Sequence, residues 1–359
     1  MPSQVSTRRR LVLTSLAVAG LMAGSGGVAG PVAASVSEFD PIDFVRLGAQ
    51  LIGPISPSAG LDRDGNGRVT VLLVGSDYRS TTLGTGERTD MMMMLTVRNK
   101  VISAASLPRD VGAVPICNGV VFKPKVNGMF KYFKQNSGLT GTPARNYALE
   151  KMRQAFECAF KIKIDYIVYM RFTAVDRLVD EVDGVYTSIP REYRDPKIND
   201  ERTANQKGAK FLQSTNVLMK GTSAPTCFTI SKPINWSASP NCTRALLWGR
   251  SRSGPGNNDW VRARHQQNFI FDAIRRVITR GSGSNLSSLQ SSANNGGSDF
   301  YTTIPASYAI ALFNELNGAT MPNKVVFKPN KWAYNGSGSK QLLKIDVVRA
   351  RMQEWFGST

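Results

Sequence analysis

Apolar positions between Val69 and Asp110 fall into three runs of strand length, Val69–Gly75, Met91–Val97 and Val101–Leu107, each rich in β-branched or long apolar side chains. Arg98-Asn99-Lys100 joins the second and third with almost no slack, which predicts a hairpin. If the first run also pairs antiparallel with the second, one sheet edge receives the end of the first strand, the start of the second and the end of the third. Six polar residues fall on that edge: Asp77, Arg79, Arg88, Asp90, Arg109 and Asp110.

Further along, the pattern alternates between the two periods. Val111–Pro115 reads as extended, Gly128–Gln135 as helical and Ala144–Phe160 as a long amphipathic helix. Ile164–Phe172 alternates as a strand, a helix capped by Thr173 follows, and Val182–Ile189 is a further strand stopped by Pro190. Residues 191–243 are polar with scattered Pro, Asn and Ser and read as an extended loop or insertion. Arg244–Trp248 is helical or extended, and Arg250 and Arg252, placed on an extended piece, would share a face. Asp259 opens a helix to about Arg280. Residues 281–298 are Ser/Asn/Gly-rich. A helix near Ala306–Leu316, a strand Lys324–Lys328 and a final helix Gln341–Phe356 complete the chain. Strands interleaved with helices predict an α/β sandwich. Asp62–Gly67 mimics the start of a calcium loop, but its twelfth position is Leu73 rather than Glu, so it reads as a turn feeding the first strand.

Composition narrows the partners. Lys+Arg is 45 against 26 Asp+Glu, a net charge of +19, which calls for an acidic partner: nucleic acid, an anionic membrane or a phosphorylated substrate. Thr7-Arg8-Arg9-Arg10 precedes a moderately apolar stretch from Leu11 to about Ala34, the form of an export signal, with Val32-Ala33-Ala34-Ser35 as a small-residue cleavage site and the Arg pair compatible with a twin-arginine signal. The same stretch is long enough to be an uncleaved membrane anchor. Residues 1–36 are therefore read as signal or anchor, 37–68 as connector and 69–359 as one folded domain, with a core of 69–280, the loop 281–299 and a C-terminal part 300–359. The protein is expected at the cell membrane on a single N-terminal anchor with its domain outside the cytoplasm, or secreted after cleavage; nucleic acid is then not a partner. That compartment permits disulfides among Cys117, Cys158, Cys227 and Cys242. A Cys227–Cys242 bridge would close the polar excursion and leave Cys117 to Cys158; three pairings are possible, and four buried free thiols is the competing reading.

The chemistry sits in three groups: Asp77, Arg79, Arg88, Asp90, Arg109 and Asp110; Lys125 and Asn127; and Arg250, Arg252, Asp259, Arg262, Arg264, Gln266 and Gln267. Arginine forks match phosphate oxygens, and carboxylates are hard ligands suited to Mg²⁺. Asp259 and Arg262 stand one turn apart where the helix dipole favours an anion. Against this, an arginine in a basic exported protein is usually solvated or salt-bridged, Met91–Met94 reads as buried strand, His265 as a helix-surface or supporting residue, and Asn127 as a cap of the following helix. No G-x-S-x-G or P-loop signature is present, which disfavours a serine hydrolase and a nucleotide hydrolase.

At these residues the chain resembles the LytR-CpsA-Psr family of cell-envelope glycopolymer transferases. The matching pieces are LLVGSDYR (72–79), ERTDMMMML (87–95), SLPRD (106–110), KVN (125–127), IDYIVYMRF (164–172), LVDEVDGVYTSIP (178–190), ALLWGRSR (245–252) and D-W-V-R-x-x-x-Q-Q (259–267). The resemblance implies a three-layer α/β/α sandwich with a mixed central sheet, a deep apolar groove for a lipid tail, and Mg²⁺-assisted transfer of a polyprenyl-pyrophosphate-linked glycopolymer, such as a teichoic acid, onto peptidoglycan. It assigns the diphosphate to Arg88, Arg109, Lys125, Arg250, Arg252, Arg262 and Gln266, and the metal to Asp77 and Asp90. Catalysis would rest on Arg88, Arg109, Asp77 and Asp90. The family pattern has Arg directly before the Gln-Gln pair; here His265 stands there, and Arg264 lies one helical step of ~100° away. A polyprenyl-diphosphate pyrophosphatase would use the same site, and a non-catalytic anionic-lipid or polyanion binder would use the same arginines.

Overall fold

The computed structural model describes residues 61–78, 87–199, 207–227, 235–252, 258–280, 299–305, 308–337 and 340–357. The N-terminal signal or anchor, Arg79 and the 281–298 stretch lie outside the described residues. Among the described residues, no helix is long and apolar enough to cross a membrane.

The three apolar runs form strands β1 (Val69–Ser76), β2 (Thr89–Arg98) and β3 (Val101–Ser106), antiparallel in that order, with Leu72 opposite Met94 and Leu95 opposite Ala104. Both turn residues Asn99 and Lys100 take positive φ, as a two-residue hairpin of this hand requires. The chain then runs through β4 (Val111–Pro115), β5 (Val121–Lys125), helices α1 (Met129–Gln135) and α2 (Gly141–Phe160), β6 (Tyr166–Arg171) and α3 (Phe172–Glu181). After α3 come β7 (Val185–Ile189), β8 (Tyr193–Asn199), β9 (Lys207–Phe211), β10 (Ser214–Met219), α4 (Ala245–Arg250) and α5 (Asp259–Arg280). The last elements are β11 (Phe300–Thr302), α6 (Ala309–Leu316), β12 (Thr320–Val326), β13 (Ala333–Asn335), β14 (Gln341–Leu343) and α7 (Ile345–Phe356).

A mixed six-stranded sheet in the order β11-β6-β1-β2-β3-β12 forms the middle layer, with β6 parallel to β1 and β12 parallel to β3. Strand alternation sends its two faces to different helices. Leu72, Val74, Met92 and Met94 pack with Met152 and Phe156 of α2 and Met352 of α7. Leu73, Met93 and Val97 pack with Ala174 of α3, Ile270 of α5 and Leu312 of α6. Met92, Met93 and Met94 are ordinary core, as their pattern predicts. A second sheet, β13-β14-β4-β5, flanks the site edge.

Four expectations are corrected. The described residues within 191–243 do not form one extended loop: β8, β9 and β10 bury Tyr193, Ile198, Ala209, Phe211, Val217 and Met219 in one cluster with Trp248 of α4. Short strands among polar residues leave too few periodic positions to read. The last helix begins at Ile345, because Gln341–Leu343 pairs in parallel with β4. Thr173 lies inside α3, whose N-cap is Arg171, and Asn127 is no cap but sits buried in a tight turn, the N-cap of α1 being Gly128. Asp62–Gly67 forms the turn expected, the Asp62 carboxylate accepting the Asn66 and Gly67 N–H groups at 3.1 and 2.5 Å. Disulfides join Cys117 to Cys158 and Cys227 to Cys242.

Candidate active site

The β1–β3 edge delivers its polar residues to one place, as antiparallel pairing dictates. The Asp77 N–H donates to the Arg88 carbonyl and the Arg88 N–H to Asp77 Oδ1, each at 3.1 Å, which closes the two strand ends into one rim. Gly75 opposes Met91 so closely that a Cβ would stand 3.0 Å from the Met91 Cβ, so a side chain there would require Met91 to give way.

The centre is an ionic lattice. Arg109 Nη1 donates to both Asp90 oxygens at 3.2 Å, and Arg109 Nε donates to Asp259 Oδ2 at 3.0 Å. Arg262 reaches the same two carboxylates, Nη1 at 3.3 Å from Asp90 Oδ2 and Nη2 at 3.5 Å from Asp259 Oδ1. Lys125 Nζ lies 2.6 Å from Asp110 Oδ1, and Asp110 Oδ2 lies 3.9 Å from Arg109. Arg252 is 4.0 Å from Asp259 with its side chain 44% exposed, while its backbone N–H is pinned to Asp195 Oδ2 at 2.9 Å. Gln266 donates to the Gly249 carbonyl at 2.9 Å, which fixes α5 against α4. Arg88 projects outward and is exposed. Arg250 ends helix α4 rather than lying on an extended piece, so the shared face with Arg252 is not formed; the α4 helix runs through Trp248, whose burial beside Phe211 holds it.

Two narrow apolar clefts lie behind the lattice. The first is walled by Gly75, Met91, Met170, Leu246 and Phe269, with Asp90, Arg250, Arg262 and Gln266 at its polar side. The second, walled by Val71, Leu73, Val168, Ile274, Ile304 and Leu316, shares Met170 and Ile270 with the first. Arg250 stands in the cleft wall and Arg109 does not; Arg109 meets Arg262 through Asp90.

Burial, and then repulsion from Asp90, pushes the Asp77 carboxyl above its ordinary range, although the Arg88 N–H and charge pull it down. Burial likewise raises Asp259 against the pull of Arg262 and Arg109. Two carboxylates that repel one another would gain from a shared cation, and oxygen donors such as those of Asp77 and Asp90 are the kind that would suit Mg²⁺.

Beneath the rim, Glu87 is fully buried. It accepts hydrogen bonds from the Ser76 hydroxyl at 2.6 Å, from the Tyr169 hydroxyl, from Arg171 at 3.2 and 3.3 Å and from Lys134 at 3.2 Å. Burial alone would raise this carboxyl; the hydrogen bonds from Arg171, Ser76 and Tyr169 outweigh it and hold the group below its usual range. Sequence reading missed this group, along with Asp195 and the lattice role of Asp259. A charged residue in a polar loop gives no local sign of burial when its partners come from three other elements.

His265 is not on the helix surface. It is buried, stacked on Trp248 at 4.0 Å and edge-on to Tyr193 at 4.8 Å, while Arg264 is exposed. Burial, aided by Arg191, lowers its pKa from 6.5 to about 4. The folded state therefore favours neutral imidazole, and its stabilisation is present above pH 6.5 and is lost as pH falls towards about 4. His265→Phe keeps the stack and removes the titration. Denaturant unfolding should show the wild type losing roughly 2–3 kcal/mol more than this variant on acidification from neutral pH to about 4.5. Equal losses would contradict the buried-imidazole account.

Residues 52–226 match the LytR_cpsA_psr family. No curated protein matches the chain. Among solved structures, the fold is similar to that of TagV from B. subtilis, at 19% identity and a TM-score of 0.53 over 82% of this chain and 99% of that one. It is also similar to protein gbs0355 from Streptococcus agalactiae, at 15% identity and a TM-score of 0.55 over 81% of this chain and 89% of that one. TagU from B. subtilis follows at 14% identity and a TM-score of 0.50, over 80% and 96%.

Proposed function

We propose that this chain, whose residues 52–226 belong to the LytR-CpsA-Psr family, is a cell-envelope phosphotransferase that moves a polyprenyl-diphosphate-linked glycopolymer onto peptidoglycan. One observation carries the reading: a lattice of arginines and carboxylates closes the polar end of an apolar cleft. A lipid diphosphate has that same division between a hydrocarbon chain and a concentrated negative charge.

In this reading the prenyl chain enters between the central sheet and α5. The clefts are narrow, so admitting the chain requires the sheet-facing sides of α5 and α6 to move outward; Met91 and Met170 in the walls suit that adjustment. Arg109, Arg250, Arg252 and Arg262, with Arg88, Lys125 and Gln266 around them, hold the diphosphate. Arg109 and Arg262 exchange part of their hold on Asp90 and Asp259 for phosphate oxygens. The acceptor hydroxyl attacks the phosphorus that carries the sugar, forming a new P–O bond. The bridging P–O–P bond breaks, its electron pair leaves on the lipid monophosphate, and the hydroxyl proton passes to a carboxylate. Asp259, raised by burial, is the carboxylate we assign to that proton. Mg²⁺, held by Asp77 and Asp90, would neutralise charge on the leaving phosphate. The arginine forks supply fixed positive charge to the same oxygens.

The domain would work outside the cytoplasm beside the membrane that holds its lipid substrate, tethered by the N-terminal segment or released after its cleavage. The metal assignment has its own test. Chelation should reduce release of lipid phosphate from a polyprenyl-diphosphate-linked sugar by at least about tenfold, and added Mg²⁺ should restore it. Asp77→Asn should raise the Mg²⁺ concentration needed for half-maximal rate. A rate indifferent to chelator would remove the metal from the account.

A further inference from the structure

The lattice has a second side. Asp90 fronts the apolar cleft, whereas Asp259 and Arg252 line a separate polar cavity, and Arg109 joins the two carboxylates. That cavity is built from the start of α5, Asn258 to Trp260, and from the β13–β14 pair, through Asn335 and Gln341. The β13–β14 pair lies beyond the stretch that matches the family.

We propose that this cavity is the acceptor subsite and that it binds an uncharged, N-acetylated sugar strand. The inference rests on the transferase reading above and adds to it the side from which the hydroxyl arrives. Four observations converge. First, the walls carry both signs of charge, with Asp110 and Asp259 facing Lys197, Arg252 and Lys340, so the cavity lacks the uniformly basic lining that a polyanion or a second diphosphate calls for. Second, its neutral members are amides. Asn258 uses its carbonyl to accept the Val261 N–H at 3.0 Å, which leaves its NH₂ to donate. Third, Gln341 is 7% exposed, and its Oε1 has no hydrogen-bond partner among the described residues. Its backbone is fixed, the N–H donating to the Asp110 carbonyl at 2.9 Å in register with Val111. A buried acceptor without a donor gains one when the amide turns into the cavity, where sugar hydroxyls and acetamido N–H groups are donors. Fourth, Trp260 adds a half-buried indole, a flat apolar face on which the C–H side of a sugar ring stacks. A sugar so placed has a hydroxyl beside Asp259, across Arg109 from the lipid side.

The test uses the whole exported domain and two probes: soluble, uncharged oligomers of N-acetylglucosamine, and farnesyl diphosphate. Ligand-observed NMR should detect the glycan on the wild type. Trp260→Ala and Asn335→Ala should each weaken it, the former by about tenfold, and Trp260→Phe should recover most of the loss. Farnesyl diphosphate should not displace the glycan, because of the residues assigned to the diphosphate only Arg252 reaches the acceptor cavity, and its side chain is 44% exposed there. In a transfer reaction, Trp260→Ala should raise the acceptor KM and shift product from glycan-linked phosphodiester towards hydrolysed sugar phosphate. Three results would overturn the subsite: no glycan binding to the wild type, equal binding by Trp260→Ala, or displacement of the glycan by farnesyl diphosphate. Glycan binding without any transfer supports the subsite and strikes the transferase reading alone.

Discussion

Arg109→Ala should lower the proposed transfer rate by about 10²–10³-fold, the loss that follows removal of one preorganised donor to developing charge. The size follows from its position. Arg109 spans Asp90 and Asp259, whereas Arg252 only approaches one of them from a largely exposed position. Without the guanidinium, one fork to the diphosphate is gone. Asp90 and Asp259 also keep only Arg262 between them, so the like charges repel the anionic substrate. Arg109→Lys recovers only part of the rate, since an ammonium cannot bridge two groups as a planar fork does. Initial rates of lipid-phosphate release measure this, and a rate within about twofold of wild type would take Arg109 off the diphosphate. Folding stability should change far less than rate, because the Arg109 side chain retains 22% exposure.

Glu87→Ala has the larger effect on stability. It removes the Glu87 carboxylate from beside the Arg171 guanidinium, 1% exposed, and the Lys134 ammonium, 5% exposed. Breaking a buried ion pair from one side costs about 3–5 kcal/mol. Arg171 retains Asp299 at 3.5 Å and the face of Tyr78 at 4.9 Å, so part of its charge stays compensated. Glu87→Gln should fall between, keeping an acceptor but not the charge. Activity should fall together with stability, because Glu87 directly precedes Arg88 and anchors Ser76, the last residue of β1. Denaturant unfolding reads the cost directly. A loss under about 1 kcal/mol would mean that water or neighbouring groups replace the carboxylate.

These two residues also mark where the sequence was legible. Arg109 sits at the end of an apolar strand, and period-2 alternation with short turns was enough to place it beside Asp77, Arg88 and Asp90. The hairpin, the antiparallel pairing of β1 and the long helices follow from the same local rule. Glu87 lies one residue before a recognised site arginine, yet nothing local distinguishes a buried glutamate from a loop glutamate. Its burial depends on Arg171 and Lys134, which only the folded sheet brings to it. The strands in 191–243 were hidden for a related reason: their inward residues are few, and their partner Trp248 is distant in sequence. The sequence left His265 between a surface and a supporting place because helical spacing gives the direction of a side chain but not what stands there, and Trp248 stands there. Arg250 and Arg252 were read as strand neighbours, whereas the helix ends between them and separates their directions. The apolar cleft was anticipated from the family resemblance alone; no local pattern separates a groove wall from a packed core.

In the proposed reaction the arginine lattice passes a sugar phosphate from a lipid on one side to a hydroxyl on the other. Phosphorus NMR of the products tests it directly, using purified protein, a polyprenyl-diphosphate-linked oligosaccharide, Mg²⁺ and soluble glycan strands. Polyprenyl monophosphate and a phosphodiester on the glycan should appear in equal amounts, both strongly reduced by Arg109→Ala. Lipid monophosphate with only free sugar phosphate beside it, or an unchanged substrate, would contradict it.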